Sequence, residues 1–378
     1  MPADRETLRL AMHDDRTHSG RSTEGMVDYN ANSSAQQSVV AAHAATIRTL
    51  VKEIGSVRPE FRIADYGCGP GASTIDLART AVDAYRELDG DGPIAVCHAD
   101  LPGNDWNALF TLLSGPEGYL EGRTGIRPEA AVGSFYDRMV SDESVNLATC
   151  FAASHWLSRA VHLDAPGAVW FADLRGKPHR DMAALARKDW ICFLRLRAQE
   201  LRSGGYLLVS TLGSVPDAKE ANGVAASGRG IYRAIQIAAQ SMADDGLLDQ
   251  AILDRFVFAL WFQTEGDARE PVQADPLLSK AFEIEQVSVE PASANADDVF
   301  GALIGDPAEY ARKYTGYMRA FADTALRAQL FGPAAKNDAE ENRLATEFYR
   351  RFEALYRDYP GKYKFEFWVL TVILRKRP

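Results

Sequence analysis

Val39, Val40, His43, Ile47, Leu50 and Val51 recur at spacings near one helical turn, and this pattern predicts a first amphipathic helix. Two short apolar runs follow, "FRIADYG" and "PIAVCHADL". Between them Ile75, Leu77, Ala78, Ala81 and Tyr85 keep helical spacing, so the stretch reads as strand, helix, strand. "SVNLATCF" and "GGYLLVSTL" add two more runs of strand length. Their apolar residues are continuous rather than alternating, as expected of parallel strands buried on both faces. The expected fold class is α/β: a doubly wound, mostly parallel sheet flanked by helices.

Beyond Leu212 the period changes to that of helices. "GIYRAIQIAAQSMADDG", "LLDQAILDRFVFALWF" and "DPAEYARKYTGYMRAFADTALRAQLFG" all read as helical, and together they predict an α-helical cap over the carboxyl ends of the strands. The sheet resumes with "FEIEQVSVE" and with the terminal "KYKFEFWVLTVILRKR", which suits a strand beside an antiparallel neighbour. The expected division is a mobile N-terminal lead (1–28), a core (29–212), cap segments (213–280 and 291–335) around a core strand (281–290), and a C-terminal helix and core strand (336–378). No internal repeat or low-complexity tract interrupts it.

At 378 residues the chain is long enough to bury a large core without staples. Its net charge of −10 argues against a nucleic-acid or anionic-membrane partner, either of which needs a basic surface. The first 25 residues contain no apolar signal segment, and "FVFALWF", the longest greasy run, is too short to span a bilayer. Cys68, Cys97, Cys150 and Cys192 lie far apart in apolar runs, so they are expected to be buried, reduced thiols in a cytoplasmic protein. No metal site is expected, because the seven histidines form no HxxxH or HExxH pattern and His155 and His162 are two helical turns apart.

The stretch "IADYGCGPGAST" carries the first chemical signal. Gly67, Gly69 and Gly71 follow an apolar strand and allow the backbone to turn tightly and approach a ligand. Asp65 precedes the turn and Asp100 ends the second strand, where an acid in this kind of fold accepts from ribose hydroxyls; a helix cap or turn is the alternative for Asp100. A nicotinamide dinucleotide requires its acid about 20 residues past the glycines. Here the acid comes later, and Pro70 removes a backbone donor where a pyrophosphate wants several. S-adenosylmethionine has a ribose and no phosphate, and fits better.

"YNANSSAQQ", "ADYGCGPGAST", "ADLPGNDWN", "GSFYDRM" and "SHWLS" occur in the order and spacing of the SABATH family of carboxyl methyltransferases, and nearly the whole chain resembles that family. The resemblance implies a Rossmann-like methyltransferase core that binds S-adenosylmethionine and methylates small acids such as salicylate, benzoate, indole-3-acetate or gibberellins. It places Tyr29, Ser33, Asp65, Gly67 and Cys68 around the methionine end. Asp100 and Leu101 match the ribose pair, and Ser134 and Phe135 the adenine contacts. A homodimer is a further expectation from the family.

On the acid side the resemblance implies that Gln36 and Trp156 donate to the substrate carboxylate, with Tyr29, Phe151 and His155 nearby. Neutral N–H donors hold a carboxylate without an opposing full charge. Such an acid, with pKa about 4, is already ionised at neutral pH and needs no base, so His155 is expected to shape the pocket wall. The chain departs from the family at Ala152, where a tyrosine is usual, and the match of Arg21 to a basic residue of the N-terminal segment is loose. Phe258 and Trp261, with Ile231, Ile235 and Phe321, read either as a pocket for a flat apolar acid or as cap core. The expected activity is methyl-ester formation on an indole-3-acetate or benzoate type of acid. Transfer to a phenol or ring nitrogen with His155 as base, cofactor binding without catalysis and a dinucleotide oxidoreductase are the alternatives.

Overall fold

The computed structural model describes residues 39–220, 222–292 and 298–378. Arg21, Tyr29, Ser33 and Gln36 lie outside them. A helical turn leads into α1 (Ala44–Ile54), which buries Ile47, Leu50 and Val51. The chain then alternates: β1 (Phe61–Tyr66), α2 (Ala72–Leu88), β2 (Ile94–Asp100), α3 (Trp106–Ser114), β3 (Ile126–Val132), β4 (Val145–Phe151), α4 (Gly176–Glu200) and β5 (Leu201–Leu212). A small ribbon, β6 (Ser214–Pro216) and β7 (Val224–Ala226), precedes α5 (Arg229–Asp244), α6 (Glu265–Ala274) and α7 (Pro276–Ala281). The last elements are β8 (Phe282–Pro291), α8 (Pro307–Leu326), α9 (Asp338–Asp358) and β9 (Trp368–Lys376).

Seven strands form one sheet in the order β3-β2-β1-β4-β5-β9-β8. The pairs among β1 to β5 are parallel, and β9 runs antiparallel between β5 and β8, as its alternating sequence suggests. The chain winds outward from β1 in one direction and from β4 in the other. The β1/β4 crevice is therefore the switch point at which ligands bind in such sheets. α2 packs its Ile75, Leu77, Ala78, Ala81 and Tyr85 on one face, and Trp190, Phe193 and Leu194 of α4 cover the other. Burying each of the larger aliphatic and phenyl side chains among these contributes about 1.5–3 kcal/mol.

Two elements differ from the sequence reading. β3 is an edge strand, half-exposed along its length and carrying Pro128, so no continuous apolar run announces it. The expected helix across "LLDQAILDRFVFALWF" is confined to the single turn Gln250–Leu253. Residues 256–263 are irregular instead, with a bend at Ala259 and isolated bridges at Leu260 and Gln263, and they bury Phe256, Phe258, Leu260 and Phe262. An apolar run of this length is compatible with either period, and here tertiary pairing decides it. The segment clasps residues 155–157: Trp261 N donates to His155 O at 2.8 Å, Leu157 N to Ala259 O at 2.9 Å, and Trp156 forms a β-bridge with Leu260.

Candidate functional site

The turn after β1 begins with Gly67, Gly69 and Gly71, all at positive φ (79°, 58° and 112°). Gly67 is demanded by the protein's own packing. A Cβ there would lie 2.3 Å from Cβ of Ala153, just past β4, and 3.8 Å from Cε1 of Phe135. A Cβ on Gly71 would press to 3.0 Å on Leu109 of α3. The glycines thus let β1, β4 and α3 close around the turn, a steric reason different from ligand approach alone.

Asp65 is buried level with Thr149 of β4 and His98 of β2. Its two oxygens accept from Thr149 Oγ1 at 2.8 Å and from Thr74 Oγ1 at the start of α2. Burial pushes its pKa up to about 6, against the opposing pull of the two hydroxyls. Asp100 ends β2 and accepts from Gly69 N and Leu101 N, both at 2.7 Å, so it ties the glycine turn to the strand end. Asn104 adds a second tie, donating to Gly69 O at 2.9 Å.

A narrow slot opens beside these groups, lined by Val40, Asp65, Gly67, Cys68, Ser73, Thr74, Phe151 and Ala152. The hydroxyl of Ser73 is buried there without a hydrogen-bond partner among the described residues. Across Ala152 lies a second, apolar slot, walled by Val39, His155, Trp156 and Thr211, with Tyr232 of α5, Tyr317 and Phe321 of α8, and Phe365 and Phe367 from the lead into β9. Ala152, at φ 50°, borders both. The free volumes are small, about 20 Å³ in the first and about 40 Å³ in the second, room for one to a few water-sized bodies.

His155 forms the polar edge of the apolar slot. Its Nδ1 lies 2.7 Å from Thr211 Oγ1, and burial lowers its pKa to about 3, which keeps the ring neutral. The indole of Trp156 is half-buried, and its backbone carbonyl accepts from Tyr136 Oη at 2.6 Å.

The family of SAM-dependent carboxyl methyltransferases matches residues 16–377. The chain belongs to that family. Gibberellic acid methyltransferase 2 of Arabidopsis thaliana is 24% identical over 312 residues, 76% of this chain and 78% of that protein. Indole-3-acetate O-methyltransferase 1 of Oryza sativa subsp. japonica is 28% identical over 243 residues, 57% and 60% of the two chains. A probable caffeine synthase of Coffea canephora is 26% identical, and the alignment spans 66% of its length. Among solved structures, loganic acid methyltransferase with SAH matches in fold with a TM-score of 0.73 at 21% identity, over 94% of this chain and 99% of that one.

The cofactor of this carboxyl methyltransferase is S-adenosylmethionine, as its family states. Of the residues singled out from sequence, Asp65, Gly67 and Cys68 share the first slot, and His155 and Trp156 share the second; Phe151, expected on the acid side, lines the first slot instead, because it ends β4 on the Asp65 side of Ala152. Asp100 and Leu101 hold the turn beside the first slot, and Phe135 approaches Gly67 on the far side of the same turn. Two candidates fall elsewhere. Phe258 is fully buried between Phe256 and Tyr232, behind the slot wall, and Trp261 packs on Phe171 and His179. Ile231 and Ile235 are likewise core, whereas Phe321 does line the slot. Tyr29, Ser33 and Gln36 lie outside the described residues. Ser73 and Asn104 escaped the sequence reading because lone neutral polar residues carry no spacing signal, although both stand within the quoted motifs.

No helix among the described residues is long and apolar enough to cross a membrane. Cys68, Cys97 and Cys150 are buried and free, and Cys192 is half-buried and free.

Proposed function

We propose that this carboxyl methyltransferase makes methyl esters of small, flat, apolar acids of the indole-3-acetate or benzoate type. One observation carries the proposal: a polar slot built on Asp65 and Ser73 and an apolar slot walled by aromatic rings abut at Ala152. The buried hydroxyl of Ser73, without a partner among the described residues, lines the same slot as the Asp65 carboxylate and suits an amino-acid zwitterion, which needs a donor and an acceptor together. The methionine end of the cofactor is such a group, so the residues fit it. Each oxygen of Asp100 accepts one backbone N–H and keeps a lone pair for a ribose hydroxyl. Ser134 and Phe135 are assigned to the adenine.

When bound, S-adenosylmethionine supplies an electrophilic methyl group to the acid's carboxylate oxygen, with sulfur as the leaving group. The chain's own part is alignment and exclusion of water. Trp156, with Gln36, is assigned to hold the carboxylate by N–H donors. Phe321, Phe365, Phe367 and Tyr232 pack the acid's apolar body. His155 is held by Thr211 and stays neutral, which supports a role in shaping the wall and weighs against the phenol or ring-nitrogen reading, where it would take a proton.

Incubation with methyl-labelled cofactor and a panel of benzoic, indolic and terpenoid acids tests the proposal. Labelled esters of the flat aromatic members are expected, and tight cofactor binding with no ester from any acid would overturn it in favour of a binding protein. Free buried thiols support a reducing, cytoplasmic setting. A homodimer rests on the family resemblance, and light scattering at micromolar concentration tests it.

A further inference from the structure

The loop 164–168, the beginning of α4 and the first turns of α5 line a separate cleft of about 630 Å³ that shares no lining residue with either slot. Three guanidinium groups line it: Arg175, Arg229 and Arg233. Arg229 is already paired, with Glu220 at 3.1 Å and Asp173 at 3.5 Å. Arg175 and Arg233 are exposed and have no ion pair or hydrogen bond among the described residues. The lining also carries Asp164 and Asp173, and Asp173 is committed to Arg229 and to Trp170 Nε1, which donates to it at 2.7 Å. Asp164 is the other carboxylate of the lining.

The chain as a whole is acidic, with a net charge of −10, and the three guanidinium groups here meet Asp164, Asp173 and Glu220, so the cleft is distinguished by two arginines left without a partner among the described residues and not by a net positive charge. Guanidinium groups without a partner are open to a counter-anion in a way that paired ones are not. A guanidinium fork matches the paired oxygens of a phosphate or carboxylate, and forks from separate elements suit an anion bearing more than one such group. A nucleic acid or bilayer needs an extended basic face to displace counterions, whereas these arginines line one open cleft on an acidic chain.

We propose that this cleft is a second binding site, for a small multivalent anion carrying two or more phosphate or carboxylate groups. Arg175 and Arg233 are its principal contacts, and Arg229 forms the back wall, its guanidinium 5.8 Å from the centre of the Trp170 ring.

Isothermal titration calorimetry of the full chain at constant ionic strength tests this, with inorganic pyrophosphate in one arm and citrate in the other to separate the phosphate from the carboxylate source. Saturable one-to-one binding is expected in at least one arm, weakened about tenfold or more in R175Q/R233Q. Cofactor affinity should be the same in the native chain and the variant. R343Q, which neutralises an exposed arginine on α9, should bind as the native chain does. The proposal is overturned if neither anion gives saturable heat at millimolar concentration, if R175Q/R233Q binds as well as the native chain, if R343Q loses as much affinity as the double variant, or if added cofactor displaces the anion.

Discussion

Arg197 and Glu200, both fully buried, are joined by a hydrogen bond of 2.6 Å from Nε to Oε2. The pair is completed on every side. The guanidinium lies 3.9 Å above the ring of Tyr66 and donates to Phe135 O at 3.0 Å and Asp137 O at 3.3 Å. Glu200 accepts from Tyr66 Oη at 2.7 Å, Met139 N at 2.8 Å and Val140 N at 3.2 Å. One ion pair on α4 therefore fixes both the end of β1 and the loop 135–140, which carries the aromatic ring assigned to the adenine.

Removing one partner of such a pair leaves an uncompensated buried charge. R197M is expected to lose about 3–5 kcal/mol of stability in urea unfolding, and R197M/E200Q to recover much of that loss. R197K keeps the charge but loses the planar fork that reaches two carbonyls at once. Its cofactor KM should rise about tenfold, with kcat at saturation nearly unchanged, because loop 135–140 is then less firmly held. An unchanged cofactor KM in a folded R197K would show that the pair serves stability alone.

Gly67 and Ala153 supply a cleaner steric test. G67A would place a methyl 2.3 Å from Cβ of Ala153 at a φ of 79°, so overpacking and left-handed strain both apply. Overpacking costs about 1–3 kcal/mol and the left-handed backbone about 1–2 kcal/mol more. In a double-mutant cycle, G67A/A153G should regain the first part and keep the second. Additive losses in the cycle would mean that the close approach of the two residues is relieved by movement elsewhere.

Much of this was legible in the chain, for identifiable reasons. Strands β1, β2, β4 and β5 are buried on both faces, so each leaves a continuous apolar run, and the SABATH-like blocks carried Asp65, Gly67, His155 and Trp156 to the two slots. What failed depended on partners distant in sequence. The non-helical course of 256–263 is imposed by pairing with residues 155–157 and 169. Phe258 and Trp261 are aromatic neighbours of the slot-lining helices whose rings turn to Tyr232 and Phe171, and no periodicity distinguishes such a ring from one that lines a cavity. Phe365 and Phe367 reach the apolar slot from the lead into the last strand, an approach only the fold can reveal.

The pH dependence separates a carboxylate acceptor from one that needs a base. His155 titrates at about 3 and stays neutral through the physiological range, so kcat at saturating cofactor is expected to be flat from about pH 8 to about pH 5. Asp65 behaves oppositely. Its pKa is raised to about 6, so it is charged above that pH and takes a proton below it, losing acceptor capacity toward the cofactor's ammonium. kcat/KM for S-adenosylmethionine should therefore fall below about pH 6 while kcat does not. A kcat that declines below about pH 6.5 would restore His155 as a base.

Trp156 gives the most direct test of the acid site, because its ring and its N–H can be separated. The backbone here is held independently of the indole, by the bridge to Leu260 and the bond from Tyr136, so W156F should fold as the native chain does. It keeps an aromatic wall and removes one donor to a charged acceptor, an interaction worth about 1.5–3 kcal/mol. kcat/KM for the acid is then expected to fall roughly 10- to 150-fold, with the cofactor dissociation constant unchanged because the first slot is lined by other residues. W156A should lose more, since it opens the wall to water and leaves the acid's apolar body free to tilt. If both variants weakened cofactor binding as much as acid turnover, the indole would belong to the first slot, and the division of labour across Ala152 would be wrong.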